Sequence, residues 1–362
     1  MEKPSLETMR NSVVRPARPF NEVNAGHVLV KAAEELNWSF DDVPKFVRRV
    51  QHIEYGLDAE TEFAAVVSWL GNCHLVHRLD QKSFSSRPKC GVRIPDLLVV
   101  FENYGVQFSA LVEVKSERKD KLTITDEYLK SLEQYSALFN QPLLVAWKPP
   151  KLGFWLLFDP RTVERNDKGK LDFGEALKHN LMGGLAGDFM VDPYPGFGLT
   201  IEAQRTSEKI HHNKGFEAEY TTDRVVFLDH HGSDIGQPGV GTLAVLWATM
   251  LLEDKIDSDD RFAMSFLSQG GAIHAQSILR SSVGLQRLEN EKIHWLAVAE
   301  NFDTILSRNQ LLGDIQEQIG KLFHTLAFQH PIQWPEFIPE QIRLKLESPT
   351  LASSQTYRSN HP

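Results

Sequence analysis

Two acidic residues and one lysine stand at a spacing that allows metal-assisted hydrolysis. Asp96 follows Pro95, and sixteen residues separate it from the run Glu113-Val114-Lys115. Carboxylate oxygens are ligands for Mg²⁺, which keeps several of its waters when one or two carboxylates hold it. A neighbouring lysine can stabilise negative charge that develops on a substrate. Together these residue types favour a site that holds a divalent cation.

A predicted β-hairpin positions these residues. IPDLLVVF and VQFSALVEVK are rich in β-branched and aromatic residues and enclose the turn-like ENYG. With a loop at 103–104, Asp96 would pair with Leu111, and residues two apart on a strand share a face. We therefore expect Asp96, Glu113 and Lys115 on one face, among apolar neighbours. A three-residue loop would separate the two carboxylates unless a bulge restored the register.

An amphipathic helix is predicted upstream, in DAETEFAAVVSWLGN, where apolar residues recur at helical spacing. At 100° per residue, Glu60 lies about 70° and Glu62 about 90° from the centre of its apolar arc. Glu60 is therefore the preferred candidate for a metal site and Glu62 the alternative. The other interpretation is that both are exposed first-turn carboxylates that favour the helix dipole.

The elements after the hairpin predict the fold class. TDEYLKSLEQYSALFN indicates a helix that contains Gln134, and LLVAW and GFWLLFD indicate two strands. The order is helix, strand, hairpin, helix, strand, strand. We expect an α/β architecture with a mixed central sheet flanked by helices.

The spacing Pro95-Asp96 to Glu113-Val114-Lys115 resembles the motif of the PD-(D/E)xK nuclease superfamily, and the resemblance covers residues 55–160 or so. The string Gly-Leu-Asp-Ala-Glu-Thr-Glu-Phe is similar to the first helix of archaeal Holliday junction resolvases, members of that superfamily, and places their metal-site glutamate at Glu60. The resemblance implies a restriction-endonuclease-like core. No second acidic residue follows Asp96 directly, so the site depends on few carboxylates.

Roles for individual residues follow from this resemblance. The metal ligands that it implies are Asp96, Glu113, the Val114 carbonyl and Glu60. Lys115 would orient the attacking water or stabilise developing charge. Gln134 fits a glutamine that many members carry on the helix after the Glu-x-Lys strand. The implied cofactor is Mg²⁺, for which Mn²⁺ is expected to substitute.

The charge distribution is uneven along the chain. The net charge is -9, but residues 1–200 hold 25 basic and 27 acidic residues, whereas residues 201–362 hold 14 and 21. Basic residues concentrate around the motif, and we expect them to contact phosphates: Arg78, Lys82, Arg87, Lys89, Arg93, Arg118 and Lys119. The alternative is a solvated surface.

Length and composition predict several regions. We expect a helical extension (1–54), a nuclease core (55–160), a loop-rich connector (161–200), a mainly helical accessory domain (201–350) and a polar tail (351–362). Two cysteines exclude a disulfide framework, and we find neither a secretory signal nor a membrane span, so a cytoplasmic protein is expected.

The sequence thus predicts a Mg²⁺-dependent DNA endonuclease in restriction, antiviral defence, recombination or mobile-element processing. One alternative is a protein of the same fold that binds nucleic acid or a partner without cleaving, and another is a nuclease that acts on RNA. The acidic accessory domain is expected to mediate homodimerisation or partner binding rather than to hold phosphates.

Overall fold

The structure is a computed structural model. It describes residues 59–80, 91–117, 119–208, 210–212, 215–217, 219–257, 261–285, 295, 298 and 306–347. The predicted extension at 1–54 and the predicted tail at 351–362 lie outside these residues, as do Lys82, Arg87, Lys89 and Arg118.

A five-stranded mixed sheet confirms the predicted α/β architecture. Its strands, in spatial order, are β1 (Cys73–Arg78), β2 (Leu97–Asn103), β3 (Val106–Lys115), β5 (Leu143–Trp147) and β6 (Leu156–Phe158). β3 and β5 are parallel, and the other neighbours are antiparallel. Outside this sheet, β4 (Lys121–Thr123) pairs with β7 (Lys170–Asp172).

Two helices flank the sheet where the sequence predicts them. Helix α1 is described over 59–69, and the chain turns away at Gly71, whose φ of 87° suits a residue without a side chain. Helix α2 (Asp126–Phe139) is the crossover between β3 and β5. The Thr125 side chain accepts a hydrogen bond from the Tyr128 backbone N–H, and Asn140 ends the helix in the left-handed region.

The two faces of the sheet have separate cores, because alternate residues of each strand point to opposite sides. One core receives β3 residues such as Ala110, Val112 and Val114, with Phe63 of α1 against Trp155 at 5.3 Å between ring centroids. The other receives Leu111 of β3 and the buried side of α2. Glu113 and Lys115 have the parity of Leu111 and therefore lie on the α2 face.

The hairpin differs from its predicted register by two residues. Leu97 pairs with Val112, and the loop is Tyr104-Gly105, with φ of 54° and 77°. Two consecutive positive φ values define a tight turn that matches strand twist, and glycine favours its second position. The prediction that Asp96 pairs with Leu111 is therefore wrong, but a shift of two keeps every side chain on its predicted face.

The C-terminal part is helical only in some segments. Its described helices are α4 (Val240–Thr249), α5 (Ala275–Leu285), α6 (Arg308–Gln318) and α7 (Glu340–Glu347). An antiparallel sheet intervenes, with the order β12 (Tyr220–Leu228), β9 (Gly198–Arg205), β14 (Arg261–Ser268) and β13 (Met250–Asp257). The region that the sequence predicts as mainly helical therefore also contains an antiparallel sheet, because short apolar runs do not distinguish buried strands from helices.

Smaller elements complete the described chain. They are helix α3 (Phe173–Lys178), a π-helical turn (Met182–Ala186), the pair β10 (Ile210–His212) and β11 (Gly215–Glu217), and a sheet of β15 (Ile273–His274), β8 (Met190–Pro193) and β16 (Phe323–Ala327). Within the described residues, no helix is both long and apolar enough to cross a membrane.

Candidate active site

The observed hairpin brings the two motif carboxylates together. The last pair of the hairpin is Leu97 with Val112, and Asp96, directly before β2, would face Glu113 if this register continued by one residue. Directly opposed residues on antiparallel strands have Cβ atoms about 4.5–5.5 Å apart. A hydrogen bond of 2.7 Å from the Val114 N–H to Asp96 Oδ2 holds Asp96 at this position.

The surroundings of Asp96 disfavour its ionised form. Burial, and then the negative charge of Glu113, raise the pKa of Asp96 from 3.8 to about 7, although the Val114 N–H opposes this rise. The charges of Glu60 and Lys115 act on it as well, the first raising the pKa and the second lowering it. A cation bound next to Asp96 would relieve the repulsion that Glu113 exerts on its ionised form.

Lys115 is bonded to the second carboxylate and to a tyrosine. Its Nζ lies 2.5 Å from Glu113 Oε1 and 2.8 Å from the Tyr128 hydroxyl oxygen. The Tyr128 hydroxyl also hydrogen-bonds to Glu113 Oε1. Burial lowers the pKa of Lys115, but Glu113 and Tyr128 outweigh burial and raise it above its usual value. Lys115 is therefore a fixed positive charge at neutral pH.

Tyr128 joins Glu113 and Lys115 in one hydrogen-bonded cluster, and no sequence motif marks it. Burial, and then the charge of Glu113, raise the pKa of Tyr128 to about 12, so the hydroxyl keeps its proton at neutral pH. A signal was present in the sequence, because Tyr128 lies one residue from buried Leu129 in the first turn of the helix that follows the Glu-x-Lys strand. The prediction followed the family glutamine to Gln134 instead.

Gln134 does not join this group in the structure. It is exposed on α2, whereas Leu129, Ser131 and Leu132 of that helix are buried. Among the described contacts, none links Gln134 to Asp96, Glu113 or Lys115. Spacing along a helix decides this outcome, since residues two apart do not share a helix face.

Glu60 lies beside the carboxylate pair. Its Oε2 is 3.2 Å from Arg78 Nε of β1. Burial raises the pKa of Glu60; Arg78 lowers it, Glu113 raises it and Lys115 lowers it. The structure thus places Glu60 within electrostatic range of Glu113 and Lys115.

Glu62, the alternative candidate, has a different partner. Its Oε1 forms an ion pair with Lys148 Nζ at the end of β5, and both side chains are largely buried. The Lys148 N–H donates to the Lys115 carbonyl at 3.3 Å. Glu62 therefore connects α1 to the end of β5, the neighbour of β3 in the sheet, rather than to Asp96.

Two described residues of the expected phosphate-binding set lie near these elements. The Arg93 guanidinium stands 4.9 Å from the centroid of the Tyr128 ring, and the Arg93 N–H donates to the Ser131 carbonyl. Arg78 pairs with Glu60 and also donates to the Thr61 hydroxyl at 2.9 Å. Lys119 is exposed.

The donor chemistry of the site fits a hard divalent cation. Asp96 and Glu113 offer carboxylate oxygens at neighbouring positions, and the raised pKa of Asp96 marks charge repulsion that a cation would relieve. In the part of the chain that the structure describes, no group of three or more His, Cys, Asp or Glu side chains is close enough to hold a metal. The fit is therefore to an ion such as Mg²⁺, which one or two carboxylates hold with the help of water.

Comparisons with known proteins give a family match over part of the chain and a solved structure of low similarity. Residues 81–181 match the family model for archaeal Holliday junction resolvase (hjc). A solved structure of Hjc from Archaeoglobus fulgidus, a Holliday junction resolvase from an archaeal hyperthermophile, shares 22% identity; the alignment covers 28% of this chain and 76% of that chain, with a TM-score of 0.22. No curated protein matches the chain.

The family match confirms the resemblance to the PD-(D/E)xK superfamily. Its matched residues, 81–181, contain the motif carboxylates, Lys115 and Tyr128. This segment is similar to the archaeal Holliday junction resolvases, whereas Glu60 and Glu62 precede the matched residues.

Proposed function

We propose that this protein is a metal-dependent nuclease that hydrolyses phosphodiester bonds in DNA, with its active centre at Asp96, Glu113 and Lys115. The observation that supports it is the hydrogen bond from the Val114 N–H to Asp96, which holds this carboxylate at the strand that carries Glu113 and its bonded Lys115. The match of residues 81–181 to a resolvase family adds support for a branched DNA substrate.

In this proposal, Asp96 and Glu113 hold Mg²⁺, which Mn²⁺ is expected to replace. The Val114 carbonyl contributes to the same site, and Glu60 contributes through a water of the metal. A bound Mg²⁺ supplies polarisation of the phosphodiester and a lowered pKa of bound water. Lys115 keeps its proton and offers positive charge to the oxygens on which negative charge develops. Arg78 neutralises Glu60, which keeps the anionic backbone of the substrate from being repelled there.

The finer expectations stay predictions. They are endonucleolytic cleavage, a role in recombination, restriction, antiviral defence or mobile-element processing, a cytoplasmic location, and a homodimer or partner contact through residues 201–350. Resolution of a branched junction needs two incisions, so an assembly with two active centres would suit such a substrate.

The test compares substrates side by side. Purified protein is incubated with a four-way DNA junction, plasmid, linear duplex, single-stranded DNA and RNA, in Mg²⁺ or in EDTA. We expect incision of DNA in Mg²⁺, strongest on the junction, and none in EDTA. Glu113→Ala and Lys115→Ala are each expected to reduce the rate by at least about 100-fold, the range for loss of a group that stabilises transition-state charge.

Matched controls come from the exposed side of α2. Glu127→Ala and Lys130→Ala change the same residue types on an exposed surface and are expected to leave the rate unchanged. Incision by the wild type in EDTA, or incision by Glu113→Ala at the wild-type rate in Mg²⁺, would contradict the proposal.

One observation favours a non-cleaving binding protein as a second candidate. The described residues bring two carboxylates together, and no third potential ligand completes a group around them. Tight junction binding without incision in either Mg²⁺ or Mn²⁺ would support that candidate. Incision of RNA alone would support the RNA-directed alternative.

A further inference from the structure

Tyr128 stands where two elements meet at the proposed active centre. It lies in the first turn of α2, which the Thr125 cap fixes, and its hydroxyl reaches both Glu113 and Lys115 on β3. The three side chains form a closed triangle of hydrogen bonds. No motif of the nuclease resemblance assigns a role to this position in the chain.

A cation bound by Glu113 weakens the attraction between that carboxylate and Lys115. Glu113 Oε1 accepts from both Lys115 and Tyr128. A cation on either oxygen of that carboxylate offsets the negative charge that attracts the Lys115 ammonium, and it also repels the ammonium directly. Lys115 then needs another acceptor, and the Tyr128 oxygen, 2.8 Å from Nζ, has lone pairs of its own.

The ring of Tyr128 supports the same arrangement. Lys115 Nζ lies 4.7 Å from the ring centroid and the Arg93 guanidinium 4.9 Å, both within the range of cation–π contacts. The ring therefore keeps cations nearby, whereas the hydroxyl alone provides a directed bond. Tyr128→Phe separates these contributions because it removes the hydroxyl and retains the ring.

We propose that Tyr128 is a positioning residue whose hydroxyl holds the Lys115 ammonium in the site when Glu113 engages a divalent cation. This inference rests on the proposed function for its consequence in cleavage, but the contact itself can be tested without cleavage. Tyr128 acts through Lys115 and is not assigned a contact with substrate.

The first test measures the accessibility of Lys115. The intact chain is acylated with a water-soluble succinimidyl ester in Mg²⁺ or EDTA, and modification of Lys115 is followed by peptide mass spectrometry. We expect Tyr128→Phe to accelerate acylation of Lys115 several-fold in Mg²⁺ and less in EDTA, where Glu113 still binds the ammonium. Equal rates for wild type and Tyr128→Phe in Mg²⁺ would overturn the proposal.

Tyr135→Phe is the matched control. Tyr135 lies two turns further along α2, and its ring contacts Phe139 at 4.8 Å between centroids. The same change there is expected to leave acylation of Lys115 unaltered. Lys130, exposed on α2, reports on reagent activity in every sample.

The second test is a double-mutant cycle in junction cleavage. Tyr128→Phe alone is expected to lower kcat about tenfold, the loss for one hydrogen bond to a charged group, and to change KM by less than about twofold. In the Lys115→Ala background the same change is expected to have no further effect, because its target is gone. Independent, multiplicative losses would show a structural role and reject the proposal.

The two tests separate failure of this inference from failure of the proposed function. If the wild type cleaves nothing, the nuclease proposal fails and acylation alone decides the role of Tyr128. If the wild type cleaves and Tyr128→Phe changes neither acylation nor kcat, the nuclease proposal stands and the positioning role is rejected.

Discussion

Asp96 is buried next to a negative charge, and its ionised form therefore destabilises the metal-free protein. Its pKa lies near 7 because water is excluded and Glu113 stands opposite. The hydrogen bond from the Val114 N–H relieves only part of this. A cation bound at this site would remove the repulsion between Asp96 and Glu113 that folding creates, and this relief favours binding.

Asp96→Asn is expected to stabilise the metal-free protein at high pH. A carboxyl with a raised folded-state pKa stabilises the fold while protonated, and this contribution is lost as pH rises from about 4 through about 7. Asparagine does not ionise and still accepts from Val114. Thermal unfolding in EDTA should therefore show a higher melting temperature for the variant than for the wild type at pH 8, and a smaller increase at pH 5. Each kcal/mol of stabilisation raises the melting temperature by about 2–4 °C.

Addition of Mg²⁺ should reduce the difference in melting temperature between Asp96→Asn and the wild type, because the cation stabilises the wild type more than the variant. Asp167→Asn, a change at an exposed aspartate, serves as the control and should shift the midpoint equally at both pH values. An Asp96→Asn variant less stable than wild type at pH 8 in EDTA would contradict the assignment.

Elements near the motif follow from local sequence pattern. The hairpin strands, α1, α2 and the strand LLVAW lie where period and turn chemistry predict them, and strand parity alone placed Glu113 and Lys115 on one face. Contacts between distant elements could not be predicted in this way. Lys148 meets Glu62 across 86 residues, and no local pattern encodes that pairing.

The Glu62–Lys148 pair joins α1 to the end of β5. The side chains are 16% and 13% exposed, and burial lowers the pKa of Lys148 while Glu62 raises it. Glu62→Gln is expected to lower the free energy of unfolding by about 1–3 kcal/mol, because it leaves a largely buried ammonium without its counter-charge. Urea unfolding measures this loss.

The double variant Glu62→Gln/Lys148→Met is expected to lose less than the sum of the two single changes, since it removes both charges. Lys151→Ala breaks the more exposed pair with Asp120 and should have little effect. Strict additivity at Glu62 and Lys148 would show that the pair does not couple the two elements.

Within the described residues, helices of the C-terminal part pack in the same core as the sheet. One core cluster contains Val112 of β3, Val245 of α4, Ile278 of α5 and Leu311 of α6. Whole-chain packing of this kind does not mark a boundary at residue 200, so the proposed division between a nuclease core and an accessory domain stays a prediction. Net charge separates the parts more clearly, at -2 for residues 1–200 and -7 for residues 201–362 by subtraction of the counts above.

That charge partition predicts where DNA phosphates bind. Residues 71–95 carry five basic residues and one acidic residue, and the stretch leads directly into Asp96. Each phosphate contact contributes about 0.9 to the slope of log affinity against log salt, so replacing Arg87, Lys89 and Arg93 by alanine should flatten the slope by up to about 2.7. Fluorescence anisotropy with a labelled junction in EDTA, from about 50 to 200 mM KCl, measures this slope.

Lys321→Ala, a change at an exposed residue in the acidic part, should leave the slope unaltered. Parallel salt dependences for the triple variant and wild type would instead show that this stretch is an ordinary solvated surface and that phosphates bind elsewhere.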